Sequence, residues 1–333
     1  MSDQPTGIFQ DSPLSGFAKA FLEGIPFARA AGMQAERMSQ ARGSVTMAAS
    51  EAWTGHAAAN QIHPGCLAVL ADTACGLAVG AAMNPIEPYA TLDLRMDYLR
   101  PARAGLELRC DAHCHRLSRS VAFVRGEVFQ PGSDEAVAAV NATFMLATAN
   151  TRRQDLPGGA RPPKTDHAKA DRPAAMAHAE AAPMWRGGSA VLAQGQSPYV
   201  DFLGIERQIS LDGQEGDVFR MPFRPELIGN PVLPALHGGV VAGFAESAAL
   251  LHLIFSNAPD ADPHATQAHE GSAPRGVDFS IDYLRSAKPI DTFARCTTVR
   301  QGSRVALVHV TVWQDDPSRP IVSARSHCLL PRG

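Results

Sequence analysis

The chain has 333 residues, 45% of them hydrophobic and 19% charged; this composition excludes wholesale disorder, collagen and coiled coil, and the length predicts two hydrophobic cores rather than one. With 30 basic against 33 acidic residues and a net charge of −3, no bulk attraction to nucleic acid or to an anionic membrane is expected. The 6 cysteines show no close pairing pattern, which suits reduced thiols rather than a disulfide framework.

Residues 1–25 lack the basic start and continuous apolar run of a secretory signal, and are expected to form a tail and a short helix of a cytoplasmic protein. A first unit is predicted over 26–150. It opens on the amphipathic PFARAAGM at 26–33, carries one long apolar segment at 65–83, and continues with three runs at 92–105, 106–115 and 119–129. In LELRCDAHCH at 106–115 the alternation puts Leu106, Leu108, Cys110, Ala112 and Cys114 on one face, which predicts a strand. Residues 151–190, rich in Pro, Ala, Gly and charge, read as a linker. A second unit follows over 191–333, interrupted by a loop-like stretch at 257–276.

The two units are copies of one another. HPGCLAVLADTACGLAVG at 63–80 aligns with HGGVVAGFAESAALLHLI at 237–254, so that His63 matches His237 and Asp72 matches Glu246. Downstream, LDLRMDYLRPARAG at 92–105 aligns with VDFSIDYLRSAKPI at 277–290, and RSVAFVRGEVF at 119–129 with SRVALVHVTVW at 303–313. Upstream, PFARAAGM at 26–33 resembles PYVDFLGI at 198–205. Matches in the same order mark a tandem duplication, and one helix with several antiparallel strands per copy predicts an α+β unit.

Each apolar segment is nearly long enough to span a bilayer. Each also carries a central carboxylate, costly in lipid, and is followed by soluble-type strands, so buried core helices are expected instead. A carboxylate within an apolar helix needs a partner or a use. Asp72 and Glu246 therefore read either as structural acids paired inside the core or as reacting groups. The turns before them, His63 to Gly65 and His237, Gly238, Gly239, would expose helix N-terminal N–H groups to an oxyanion, or else simply start a helix. From Gly239 to Glu246 is two turns, about 10.5 Å along one helix, too far for one reacting carbon to touch both. An antiparallel second helix removes the difficulty, which predicts composite sites pairing Asp72 with the His237–Gly239 turn and Glu246 with the His63–Gly65 turn.

LADTACGLA after a His-x-Gly turn, followed by YLRP, resembles the hotdog-fold thioesterases of the phenylacetyl-CoA thioesterase (PaaI) type, over about 26–148 and again over 197–331. The resemblance implies two hotdog domains in tandem, each a long helix wrapped by an antiparallel sheet, paired as a pseudo-dimer within one chain, with further association open. It implies an acyl-CoA substrate, hydrolysed to carboxylic acid and CoA by a helix carboxylate, Asp72 or Glu246, as nucleophile or base. It implies that Gly238 donates its N–H to the thioester carbonyl and that an upstream amide, matched one residue out of place by Asn230, orients the reacting groups. No cofactor is expected. The first copy departs from this pattern: Pro64 stands where the donating Gly should be and has no N–H.

Other features carry less. Strand alternation sends Cys110 and Cys114 to one face and His113 and His115 to the other, against a metal site. Cys66 and Cys75 lack counterparts in the second copy and suit buried small apolar positions. His63 and His237 read as general bases or as groups that hold the turn. The rival to an acyl-CoA thioesterase is a catalytically degenerate acyl-CoA-binding or structural hotdog protein, which Pro64 favours and the intact Asp72 and Gly238 disfavour.

Overall fold

A computed structural model describes residues 13–56, 60–146, 189–190, 197–208, 218–230, 234–257 and 273–331. Most of the expected linker, 151–188, lies outside the described residues, as do 1–12 of the expected tail and 258–272 of the second loop-like stretch.

The first copy runs α1 (Pro13–Gly24), α2 (Pro26–Ala30), β1 (Met33–Ser39), β2 (Arg42–Met47), β3 (Thr54–His56), β4 (Gln61–Ile62), α3 (Pro64–Ala82), β5 (Tyr89–Tyr98), β6 (Leu108–Leu117), β7 (Val121–Phe129) and β8 (Ala138–Leu146). A short strand β9 (Ser189–Ala190) precedes the second copy. That copy repeats the order as α4 (Pro198–Leu203), β10 (Glu206–Gln208), β11 (Val218–Met221), β12 (Ile228–Asn230), β13 (Ala235–Leu236), α5 (Gly238–Asn257), β14 (Arg275–Tyr283), β15 (Thr292–Gln301), β16 (Val305–Trp313) and β17 (Val322–Leu329). Each copy is a hotdog domain, a long helix wrapped by an antiparallel sheet.

Four expectations need correction. Four strands follow each long helix rather than three, because β8 and β17 alternate buried and exposed positions through small residues such as Ala138 and Ala142 that give a weak apolar signal. β6 begins at Leu108 and not at Leu106, since Gly105 turns the chain at φ 76. Residues 189–190, placed in the linker, form β9 and pair with β10, and Arg275 and Gly276, placed in a loop, begin β14.

Thirteen of the described strands make one sheet, in the order β1-β2-β6-β7-β8-β5-β14-β17-β16-β15-β11-β10-β9. The copies meet at β5 and β14, which pair antiparallel from Asp97 opposite Asp278 to Asp93 opposite Asp282. The sheet encloses α3 and α5. Both are long and apolar enough to cross a bilayer, but 94% and 78% of their apolar windows are buried inside the protein. Side chains such as Leu70, Leu77 and Phe244 are fully buried, each worth about 1.5–3 kcal/mol in removal from water. All six cysteines are buried and none forms a disulfide. α1 has no described counterpart in the second copy; its Phe17 and Phe21 rest over Gly80 and Gly76 of α3.

Candidate active site

The two long helices cross antiparallel at backbone contact. A β-carbon on Gly239 would lie 2.7 Å from Val69 Cα, and one on Gly65 would lie 2.9 Å from Gly243 Cα. Only glycine admits that approach. As a result each helix N-terminus reaches the carboxylate in the middle of the other helix, giving two sites related by the duplication.

At the first site Asp72 accepts two hydrogen bonds. The Gly239 N–H donates to its Oδ2 at 2.7 Å and the Thr91 hydroxyl to its Oδ1 at 2.9 Å. The bare α-carbon of Gly238 faces this group: a β-carbon there would come 3.0 Å from Asp72 Oδ2, 3.5 Å from the Tyr283 hydroxyl and 3.6 Å from Thr91 Oγ1. Tyr283 donates to the Gly238 carbonyl at 2.8 Å. Among the described residues nothing accepts from the Gly238 N–H, so this donor, at the positive end of α5, is available to an oxyanion.

His237 caps the turn. The Gly239 N–H also reaches its Nδ1 at 3.0 Å, while Nε2 faces Thr73 Oγ1 at 3.2 Å, and that hydroxyl in turn donates to the Val69 carbonyl at 2.8 Å. A ring that accepts at Nδ1 carries its proton on Nε2. Burial lowers the pKa of His237 despite the neighbouring Asp72. Its Nδ1, 3.4 Å from Asp72 Oδ2, therefore shares the Gly239 donor with the carboxylate and does not form an ion pair with it.

The second site keeps the outline and changes the chemistry. The His63 ring accepts from the Gly65 N–H at 3.0 Å, faces Ser247 Oγ at 3.5 Å and stacks on Tyr199 with centroids 4.7 Å apart. Burial pushes its pKa down to about 3, so it too is a neutral cap. Glu246 is 0% exposed against 6% for Asp72. Its Oε2 accepts from Tyr98 at 2.6 Å, and its Oε1 has no hydrogen-bond partner among the described residues. Burial pushes its pKa up to about 8, with the Tyr98 hydrogen bond opposing. Gly276 stands where the first site has Thr91, leaving space for the longer acid: a β-carbon there would sit 3.3 Å from Oε1.

The structure thus brings Asp72, His237, Gly238 and Gly239 together, and Glu246, His63 and Gly65 together. Asn230 is not among the partners of Asp72; it lies exposed on β12, seven residues before His237. Sequence reasoning passed over Thr91, Tyr98 and Tyr283, and the hydroxyls Thr73 and Ser247. Tyrosine at 98 and 283, and a hydroxyl directly after each carboxylate, are retained in both copies, and that retention was the available signal. The counterpart of Thr91 in the second copy is Gly276, which has no hydroxyl, so duplication could not flag it.

The family profile described as Thioesterase superfamily matches residues 59–137 and 233–321, together just over half of the chain. A medium/long-chain acyl-CoA thioesterase, YigI, of Salmonella typhimurium is 30% identical over 140 residues, covering 38% of this chain and 88% of the relative. A solved structure from Novosphingobium aromaticivorans covers 89% of this chain and 98% of its own at 16% identity, with a TM-score of 0.58. A hot dog fold protein from Alicyclobacillus acidocaldarius covers 87% and 94% at 13% identity, with a TM-score of 0.51. Likenesses at these low identities bear on the fold alone.

Proposed function

The chain belongs to the thioesterase superfamily and is a thioester hydrolase, and from that premise we propose that it is an acyl-CoA thioesterase of the phenylacetyl-CoA thioesterase (PaaI) type, working at the Asp72 site. The observation that carries this reading is the Asp72 carboxylate held 2.7 Å from the Gly239 N–H, beside a Gly238 N–H with no acceptor among the described residues. A thioester carbonyl placed at that N–H gains a donor and the N-terminal field of α5 as its oxygen becomes negative. Asp72 serves as base or nucleophile. As base it takes a proton from water, the hydroxide adds to the carbonyl carbon, the C–S bond breaks, and the proton passes to the CoA sulfur. As nucleophile it attacks the carbonyl carbon and the C–S bond breaks, giving an acyl anhydride and the CoA thiolate; water then opens the anhydride to the acid and the Asp72 carboxylate, and its released proton goes to the thiolate.

The Glu246 site is the silent one in this reading. Pro64 offers no N–H to an oxyanion, and an acid raised to about 8 is protonated at neutral pH and unable to attack or deprotonate water. The two copies form the pair of domains that the site needs within one chain, and six buried cysteines without a disulfide suit a reducing, cytoplasmic setting.

Free-thiol release from acyl-CoAs of graded chain length and from phenylacetyl-CoA tests the proposal. The expected result is one acid and one CoA per thioester consumed. A folded protein that binds acyl-CoA yet releases no thiol would turn the reading to a non-catalytic acyl-CoA binder.

A further inference from the structure

We propose that Tyr283 is a positioning residue of the Asp72 site, acting through the Gly238–Gly239 peptide; the inference rests on the reading of that site as the one that turns over. The Tyr283 hydroxyl donates to the Gly238 carbonyl at 2.8 Å. That carbonyl and the Gly239 N–H belong to one planar peptide group, so fixing the oxygen fixes the direction of the N–H, which meets Asp72 Oδ2 at 2.7 Å. The plane is flanked by glycine on both sides, where backbone rotation is freest. Without an external hold it could turn its N–H away from Asp72. The same hydrogen bond polarises the amide and strengthens its N–H as a donor.

The other copy supplies the contrast. Tyr98 is the counterpart of Tyr283, yet its distance to the Pro64 carbonyl is 3.5 Å, and it donates to Glu246 at 2.6 Å instead. Pro64 has its φ locked by its own ring, so the helix start there is already restrained. The tyrosine holds the peptide where two glycines adjoin and has moved to the acid where proline replaced one of them. Burial and the nearby Asp72 raise the Tyr283 phenol well above its ordinary pKa, so it remains a donor across the working range.

Steady-state kinetics of Tyr283→Phe provide the test. Expected is a fall in kcat of about tenfold, smaller than the hundredfold or more of a lost oxyanion donor, with KM changed less than about twofold. The melting temperature should stay close to that of the wild type. Incorporation of 3-fluorotyrosine at position 283, which keeps the donor, should restore kcat. A rise in KM matched to the fall in kcat together with a lower melting temperature, or unchanged kcat, overturns the inference. If Tyr283→Phe does not fold, a fluorotyrosine series at 283 carries the test: kcat must follow phenol acidity, and a flat series overturns it. Wild-type protein inactive on every acyl-CoA would sink the underlying reading, whereas active wild type with unaffected variants would sink this inference alone.

Discussion

Asp72 and Glu246 occupy the same position on the same helix of a duplicated unit, and each lies against the other helix's N-terminus. One is met by a backbone N–H, a threonine hydroxyl and a glycine with a spare donor; the other is met by a tyrosine, a proline and an empty position at Gly276. Placement of a carboxylate in the fold therefore does not define a site. The donors that meet the acid do. The three differences point the same way: loss of the threonine hydroxyl and full burial of the longer acid make a charged carboxylate harder to keep, and Pro64 removes the N–H that would stabilise an oxyanion.

The sharpest way to break this contrast is to remove one acid at a time. Asp72→Asn should lower kcat by about a hundredfold or more with the fold retained, while Glu246→Gln should change it less than about threefold, as read by thiol release. Equal losses would make the sites equivalent. Next comes Gly238→Ala, whose β-carbon would stand 3.0 Å from Asp72 Oδ2; kcat should fall by about thirtyfold, within the range of a disturbed oxyanion hole.

A gain of function sharpens the comparison from the other side. In an Asp72→Asn background, Pro64→Ala restores a backbone N–H at the start of α3, and residual kcat should rise by about threefold to tenfold, well below the full worth of such a donor. Because Glu246 is raised to about 8, the gain should grow as pH climbs through 8, and adding Glu246→Gln should erase it. A pH-independent gain would exclude Glu246 as its source.

The smallest expected effect is on stability. A carboxyl group raised from 4.5 to about 8 on folding binds more protons in the folded than in the unfolded state between those values. Stability is accordingly highest below about 4.5 and declines as pH rises to 8. Glu246→Gln removes that decline: its melting temperature should exceed wild type by about 2 °C or more at pH 8.5 and equal it near pH 4.5. The reverse order would mean that Glu246 is ionised in the folded protein at neutral pH.

Much of the fold was legible because the duplication repeats its own pattern. Two apolar runs with a central acid gave α3 and α5 within a residue or two, and period-two runs gave β6, β7 and β16. β8 was missed because in AAVNATFML Ala139 and Met145 fall on the outer face and blur the alternation of the buried Ala138, Val140, Ala142, Phe144 and Leu146. The pairing of β5 with β14 was invisible, since strand order between copies leaves no local trace. At the site, helix spacing alone required acid and turn to come from different copies. Thr91 escaped because it is local to neither motif and meets Asp72 only when β5 folds over α3, and the two tyrosines because a retained aromatic reads equally well as core.

The β5–β14 seam has a consequence for inheritance. Were the two halves separate products of one gene, associating as identical partners, a proline at the helix start would strike both helix starts at once, and no intact partner would survive to compensate. Covalent succession on a single sheet of thirteen strands gives each half its own record of mutation. One half can then drift while still completing its neighbour, because Asp72 needs the helix start of the second copy and asks of the first copy's helix start nothing but a shape to pack against.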